Sequence, residues 1–260
     1  VMKGKIIKSF AGILMLVLAV FAMLLVSNNR EAEDPTRQQL EDSLERSIQW
    51  MVNNGENVVN QNNAMLWWMI GRSIELNNDP RLRRLYSQYR SQYIDREFSN
   101  PWRMLFYPNA RARRLGDSIH VLPDYNQYFL YGLSCSRDLE SIAVIEEQKK
   151  TNFCQQHHPI SPACVTHQLM GLQFRQRSNC GEPEAMAAQV LELQDMIVGQ
   201  LRYDPRVVDV YLQRVLMLLD TGAGDRVKAA WLHNVLDAQV NDGGWSNMQP
   251  LQSLGGERYL

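Results

Sequence analysis

The sequence predicts an all-α protein: a single N-terminal transmembrane helix followed by a domain of antiparallel helix pairs, arranged as an α/α toroid or a solenoid. Three observations lead there. One unbroken apolar run stands near the N-terminus, and apolar residues downstream recur at helical spacing with almost no period-two alternation. Glycines also recur at one point of successive apolar helices.

The apolar run is Phe10 to Val26, FAGILMLVLAVFAMLLV. At 1.5 Å rise per residue it covers about 25 Å, near the lower limit for a bilayer span. Lys3, Lys5 and Lys8 precede it, whereas Arg30 behind it is offset by Glu31, Glu33 and Asp34. Positive charge resists translocation, so residues 1–9 are expected in the cytoplasm, 10–26 in the lipid bilayer as a signal-anchor, 27–39 as a linker and 40–260 as the exported helical domain. The expected location is the inner membrane, with that domain in the periplasm. A cleaved signal peptide would carry a shorter apolar stretch and a small-residue cleavage site, and none stands before Ser27.

Composition narrows the class further. With 27 basic and 28 acidic residues among 260, nothing in the net charge points to nucleic acid. The mean hydropathy of −0.34 excludes a polytopic membrane protein.

Beyond the linker the chain reads as helices separated by turn signals. Leu40, Leu44, Ile48 and Met51 form one apolar stripe, ended by Asn53-Asn54-Gly55. The next helix, 63–76, is apolar without a break from Ala64 to Ile70 and is expected to be buried on every side, with Trp67 or Trp68 inside. Leu82, Leu85, Tyr86, Tyr89 and Tyr93 make a one-sided outer helix. The stretch from Asn100 to Pro123 is irregular and long for a connection, a common trait of functional loops. Helices are then expected over 124–135, 138–148, 162–177, 183–201, 205–219 and 224–239, the last burying Trp231. Pro162, Pro183 and Pro205 stand where a first-turn proline is tolerated. Gly71, Gly132 and Gly171 follow apolar residues at a shared point, and Leu212 stands at a fourth such point without its glycine. The later repeats lie roughly 40 residues apart, the length of a helix hairpin. A mid-helix glycine costs about 1 kcal/mol against alanine, so these positions predict close helix–helix approach.

Cys135, Cys154, Cys164 and Cys180 are an even set within the part expected to be exported, which predicts two disulfides of unassigned connectivity. A second arrangement of the same residues is a zinc set, Cys154, His157, Cys164 and His167, as two C-x-x-H pairs. Its six-residue spacer is short for a zinc finger and holds two prolines, so no metal or other cofactor is expected.

Near the C-terminus, Gln239-x-x-x-Gly243-x-Trp245 begins at the end of the helix expected over 224–239. This motif resembles the QW repeat of the terpenoid cyclases, and the Asp242-Gly243-Gly244-Trp245 turn resembles those of the cyclase and prenyltransferase α/α toroids. The resemblance covers about fifteen residues. It implies an α/α architecture and no terpene chemistry, because the acidic Asp-x-Asp-Asp signature of the cyclases is absent.

Candidate chemistry concentrates in the irregular stretch. Arg111, Arg113 and Arg114 form the one basic cluster and are the candidate contact with another protein of a membrane complex. His120, Asp124, Tyr125 and, from the C-terminal turn, Asp242 are the groups an α/α-ring hydrolase or lyase would use. No nucleophile elbow, P-loop, dinucleotide fingerprint or H-E-x-x-H occurs. The expected function is therefore an accessory or scaffold subunit of an envelope complex, with a membrane-tethered enzyme acting on an envelope glycan or isoprenoid as the alternative.

Overall fold

A computed structural model describes residues 2–107, 109–110 and 117–245, and every described regular element is helical. The helices are α1 (Met2–Asn28), α2 (Arg37–Asn53), α3 (Gly55–Asn60), α4 (Ala64–Asn77), α5 (Pro80–Tyr89), α6 (Arg103–Phe106) and α7 (Asp124–Ser134). They continue as α8 (Arg137–Glu140), α9 (Ala143–Gln148), α10 (Phe153–His157), α11 (Cys164–Arg177), α12 (Pro183–Tyr203), α13 (Asp209–Asp220) and α14 (Ala229–Asp237). Several starts are written in the local chemistry. Thr36 and Gln39 form a reciprocal capping box on α2, Asn63 accepts from the Leu66 amide to cap α4, and Asp79 caps α5 ahead of Pro80.

The expected transmembrane helix is corrected. Among the described residues no helix is long and apolar enough to cross a membrane. The end of α1 also belongs to the helical domain. Asn28 is buried, donates to the Leu201 carbonyl at 2.6 Å and accepts from the Tyr211 hydroxyl at 2.8 Å and from Asn234 at 3.0 Å. Asn29 donates to the Arg202 carbonyl, and the Glu33 carbonyl lies 2.9 Å from His233 Nε2. The start of the linker is thus strapped across α12 and α14.

The helices make a closed circuit of contacts. α2 packs on α5, α5 on α4, α4 on α6, α6 on α7, α7 on α11, α11 on α12 and α13, α13 on α14, and α14 returns to α2. The glycines set its tightest crossing. A Cβ on Gly132 would lie 2.9 Å from the Gly171 carbonyl and 3.0 Å from Phe174 Cβ, and one on Gly171 would overlap the ring of Tyr128. The close α7–α11 approach expected from the glycine repeat is therefore present. Gly71 serves the same end between α4 and α5, against Tyr86.

The Gln239 motif closes the circuit. Gln239 Nε2 donates to the Ser43 carbonyl at 2.9 Å, to Ser47 Oγ at 3.0 Å and to the Gly243 carbonyl at 2.9 Å, while its Oε1 accepts from Arg46. Gly243, at φ +98°, lets the turn press against the Arg46 carbonyl, and Trp245 Nε1 donates to the Val235 carbonyl at 2.8 Å. Trp67 and Trp231 are fully buried.

Other elements depart from expectation. The helix expected over 138–148 is split into α8 and α9 around Ser141-Ile142, and those expected from Pro162 and Pro205 begin later, at Cys164 and Asp209. α4 is not buried all round: Ala64, Trp67 and Ile70 point into the core, while Met65, Trp68 and Met69 are half-buried. Its second apolar side faces a cleft.

Candidate functional site

The cleft lies between α4, α7, α11 and α13, the four helices that carry the glycine repeat and its degenerate fourth copy. Two cavities occupy it, of about 400 and about 390 Å³, and they share Met69, Met170, Leu216 and Met217. Trp102 stands beside the first. It comes from the irregular stretch and packs against all three apolar clusters of the molecule, which fixes that wall.

The mouth is polar without charge. Gln61, Asn62 and Asn63 reach it from the α3–α4 turn, Tyr125 and Asn126 from the first turn of α7, Thr166 and His167 from that of α11, and Gln213 from α13. Part of this shell is internally satisfied: Thr166 donates to the Gln213 Oε1 at 3.2 Å, Gln213 donates to Asp209 Oδ2 at 2.8 Å, and the Asn63 Oδ1 caps α4. Gln61 and Asn126 make no side-chain hydrogen bond among the described residues, so their amides are available to a ligand. His167 stacks on Tyr125, with ring centroids 4.4 Å apart, and meets Phe129 edge-on. Burial pushes its imidazole down to about 4, so it is neutral at physiological pH. The floor is methionine, a side chain that adapts to irregular shapes. Toward the other end Trp68, Ile70, Arg72, Ser73, Leu76 and Asp220 line the second cavity. Leu76 is 87% exposed.

The four candidate acid–base residues do not meet in this cleft. Only Tyr125 lines it. Asp124 points to His158, 3.4 Å from its Nε2. His120 is exposed on a 3₁₀ turn over Asp117–Val121, and Asp242 accepts from the Gly244 amide in the C-terminal turn. Arg111, Arg113 and Arg114 lie outside the described residues.

The cysteines pair as Cys135–Cys180 and Cys154–Cys164, with Cα atoms 5.4 and 5.7 Å apart, both at disulfide distance. The second pair uses the two sulfurs of the alternative zinc set. His157 instead stacks on Phe153 beside Glu147, and His167 faces Tyr125 in the cleft.

Sequence reasoning missed most of the mouth. Its signal was present: each inner helix carries an amide or hydroxyl residue in or just before its opening turns, at Asn63, Asn126, Thr166 and Gln213.

No protein-family model, curated protein or solved structure matches the chain.

Proposed function

We propose that this protein is a non-catalytic binding module of an oxidising, extracytoplasmic compartment, which holds part of a partner protein in the cleft between α4, α7, α11 and α13. It would act as an accessory or scaffold subunit of an envelope complex. The observation that carries this reading is the lining of the cleft. Its mouth has no charged residue among those described, its histidine is held neutral, Arg72 and Asp220 of the second cavity are paired with Glu75 and Arg177, and Asp124, His120 and Asp242 stand elsewhere. General acid–base catalysis needs groups that exchange protons near neutral pH and converge on one atom. A cleft of amides, aromatic rings and methionines supplies contact area and hydrogen bonds instead. Two cysteine pairs support an oxidising compartment.

Copurification of the full chain from gently disrupted cells tests the proposal. Leu216 lines both cavities and is 43% exposed, so Leu216→Asp places a charge in the cleft with little disturbance of the core. The variant is expected to lose the partner while melting like the parent. A triple alanine change at Arg111, Arg113 and Arg114 provides the contrast. Retention by Leu216→Asp with loss by the triple variant moves the contact away from the cleft and overturns the proposal.

A further inference from the structure

We infer that the disulfide-closed loop from Cys154 to Cys164 is a preformed knob whose tip, Ile160, enters an apolar socket on the protein held in the cleft; this deepens the binding reading above and rests on it. The loop is built to hold one shape. The Cys154–Cys164 pair joins its ends across a separation of 10 residues. Between them run two closed turns in succession: the Ser161 amide donates to the His158 carbonyl at 3.0 Å, and the Cys164 amide donates to the Ser161 carbonyl at 3.3 Å. Pro159 and Pro162 take the second position of each turn, where their fixed φ is already correct. Both limbs are fastened to the domain. His157 and His158 pack on the buried Phe153 ring, with centroids 5.0 and 5.3 Å away, and the buried Arg214 donates to the Pro162 carbonyl at 3.3 Å.

Ile160 takes the third position of the first turn and is 95% exposed. Turns draw glycine, asparagine, aspartate and serine for their backbone freedom or their local hydrogen bonds, and isoleucine supplies neither. Its side chain thus serves neither turn nor core, and a loop already ordered loses little entropy when it binds. The knob stands beside the cleft mouth. Thr166 Oγ1, in that mouth, lies 2.8 Å from the carbonyl oxygen of Ala163 in the loop, and Arg214 is next in sequence to Gln213, another residue of the mouth. A polypeptide seated at the mouth therefore has the loop at its flank.

The form of the loop selects its receptor. Strand addition needs an extended segment and groove binding needs an amphipathic helix, and two closed turns offer neither. A bilayer is a poor receptor too. No lysine or arginine stands between Cys154 and Cys164, and His157 and His158 face Glu147 and Asp124. One isoleucine also carries far fewer carbons than a myristoyl chain, which alone holds a protein at a membrane only marginally. A protein socket that surrounds the side chain removes all of its apolar surface from water.

The test replaces Ile160 with a benzophenone side chain in the full chain, in the cell of origin, and locates the crosslinked residue by mass spectrometry. The expected adduct is to an apolar residue of the same polypeptide that a benzophenone at position 216 captures. The Kd of that polypeptide for the full chain should rise at least about tenfold with Ile160→Ser and stay within about threefold with Ile160→Leu, both variants melting like the parent. Adducts to lipid, to a second copy of this chain or to many proteins, or no adduct, would overturn the inference, as would equal binding by Ile160→Ser. If Leu216→Asp releases the polypeptide and Ile160→Ser does not weaken it, this inference fails and the binding function of the cleft stands. If Ile160→Ser weakens it and Leu216→Asp does not, the loop is the contact and the cleft reading fails. If neither variant has an effect, both fail.

Discussion

Alanine at Gly171 and alanine at Gly199 are the same chemical change in the same secondary structure, and they should move stability in opposite directions. Both glycines lie inside helices, α11 and α12, where alanine is favoured by about 1 kcal/mol. Around Gly199 there is nothing within 4 Å of an added Cβ, so that gain is realised and the melting temperature should rise by about 1–4 °C. At Gly171 the methyl would enter the ring of Tyr128. That ring is fully buried, and its hydroxyl accepts from Arg175 Nη1 at 3.2 Å, so it cannot swing aside without losing a buried hydrogen bond. Overpacking of this kind costs about 1–3 kcal/mol, and a broken buried bond adds about 1–2. After the propensity gain the net loss is about 1–4 kcal/mol, a fall of roughly 2–16 °C for a domain of this size. Thermal unfolding followed by far-UV circular dichroism under non-reducing conditions reads both variants. Equal shifts in the same direction, or a Gly171→Ala protein as stable as the parent, would refute the close α7–α11 crossing.

Three further perturbations have defined outcomes. Loss of the Cys135–Cys180 pair, which closes a separation of 45 residues, should cost about 4 kcal/mol against about 2.7 for Cys154–Cys164 with its separation of 10, measured by denaturant unfolding of the paired serine variants. His167 has a folded value of about 4, below its ordinary 6.5, so the unfolded chain binds the extra proton first. Its contribution is complete above pH 6.5 and is lost as pH falls from 6.5 toward 4, by up to about 3 kcal/mol; His167→Phe should flatten that limb of the stability–pH curve. Gln239→Ala removes four hydrogen-bond partners of the clasp, which should cost about 1–3 kcal/mol and speed hydrogen exchange in α14 ahead of α11.

The helical class was legible because its signals are local. Apolar spacing, Asn-Asn-Gly, and proline or glycine at helix ends placed most of the helices, and the repeated glycines marked the inner ones. The α7–α11 crossing followed from those glycines, since a missing side chain costs stability unless something occupies its place. Burial was less legible. The AMLWWMI run fits a fully enclosed helix as well as one with a core face and a cleft face, because composition cannot distinguish a neighbouring helix from an empty groove. The apolar run at the N-terminus failed for another reason: what Asn28 and Asn29 bind lies some 170 residues or more away, beyond any local pattern. The site was missed because its amides are ordinary surface residues one at a time, and only the fold brings α4, α7, α11 and α13 round one cleft.

Site-specific photocrosslinking in the cell of origin tests most directly whether this cleft is the functional site. A benzophenone side chain replaces Leu216, which lines both cavities, and in a second protein replaces Leu44, an exposed residue of α2 that lines neither. The account predicts a discrete adduct to one other polypeptide from position 216 and none from position 44. Adducts from position 44 with none from position 216 would contradict it.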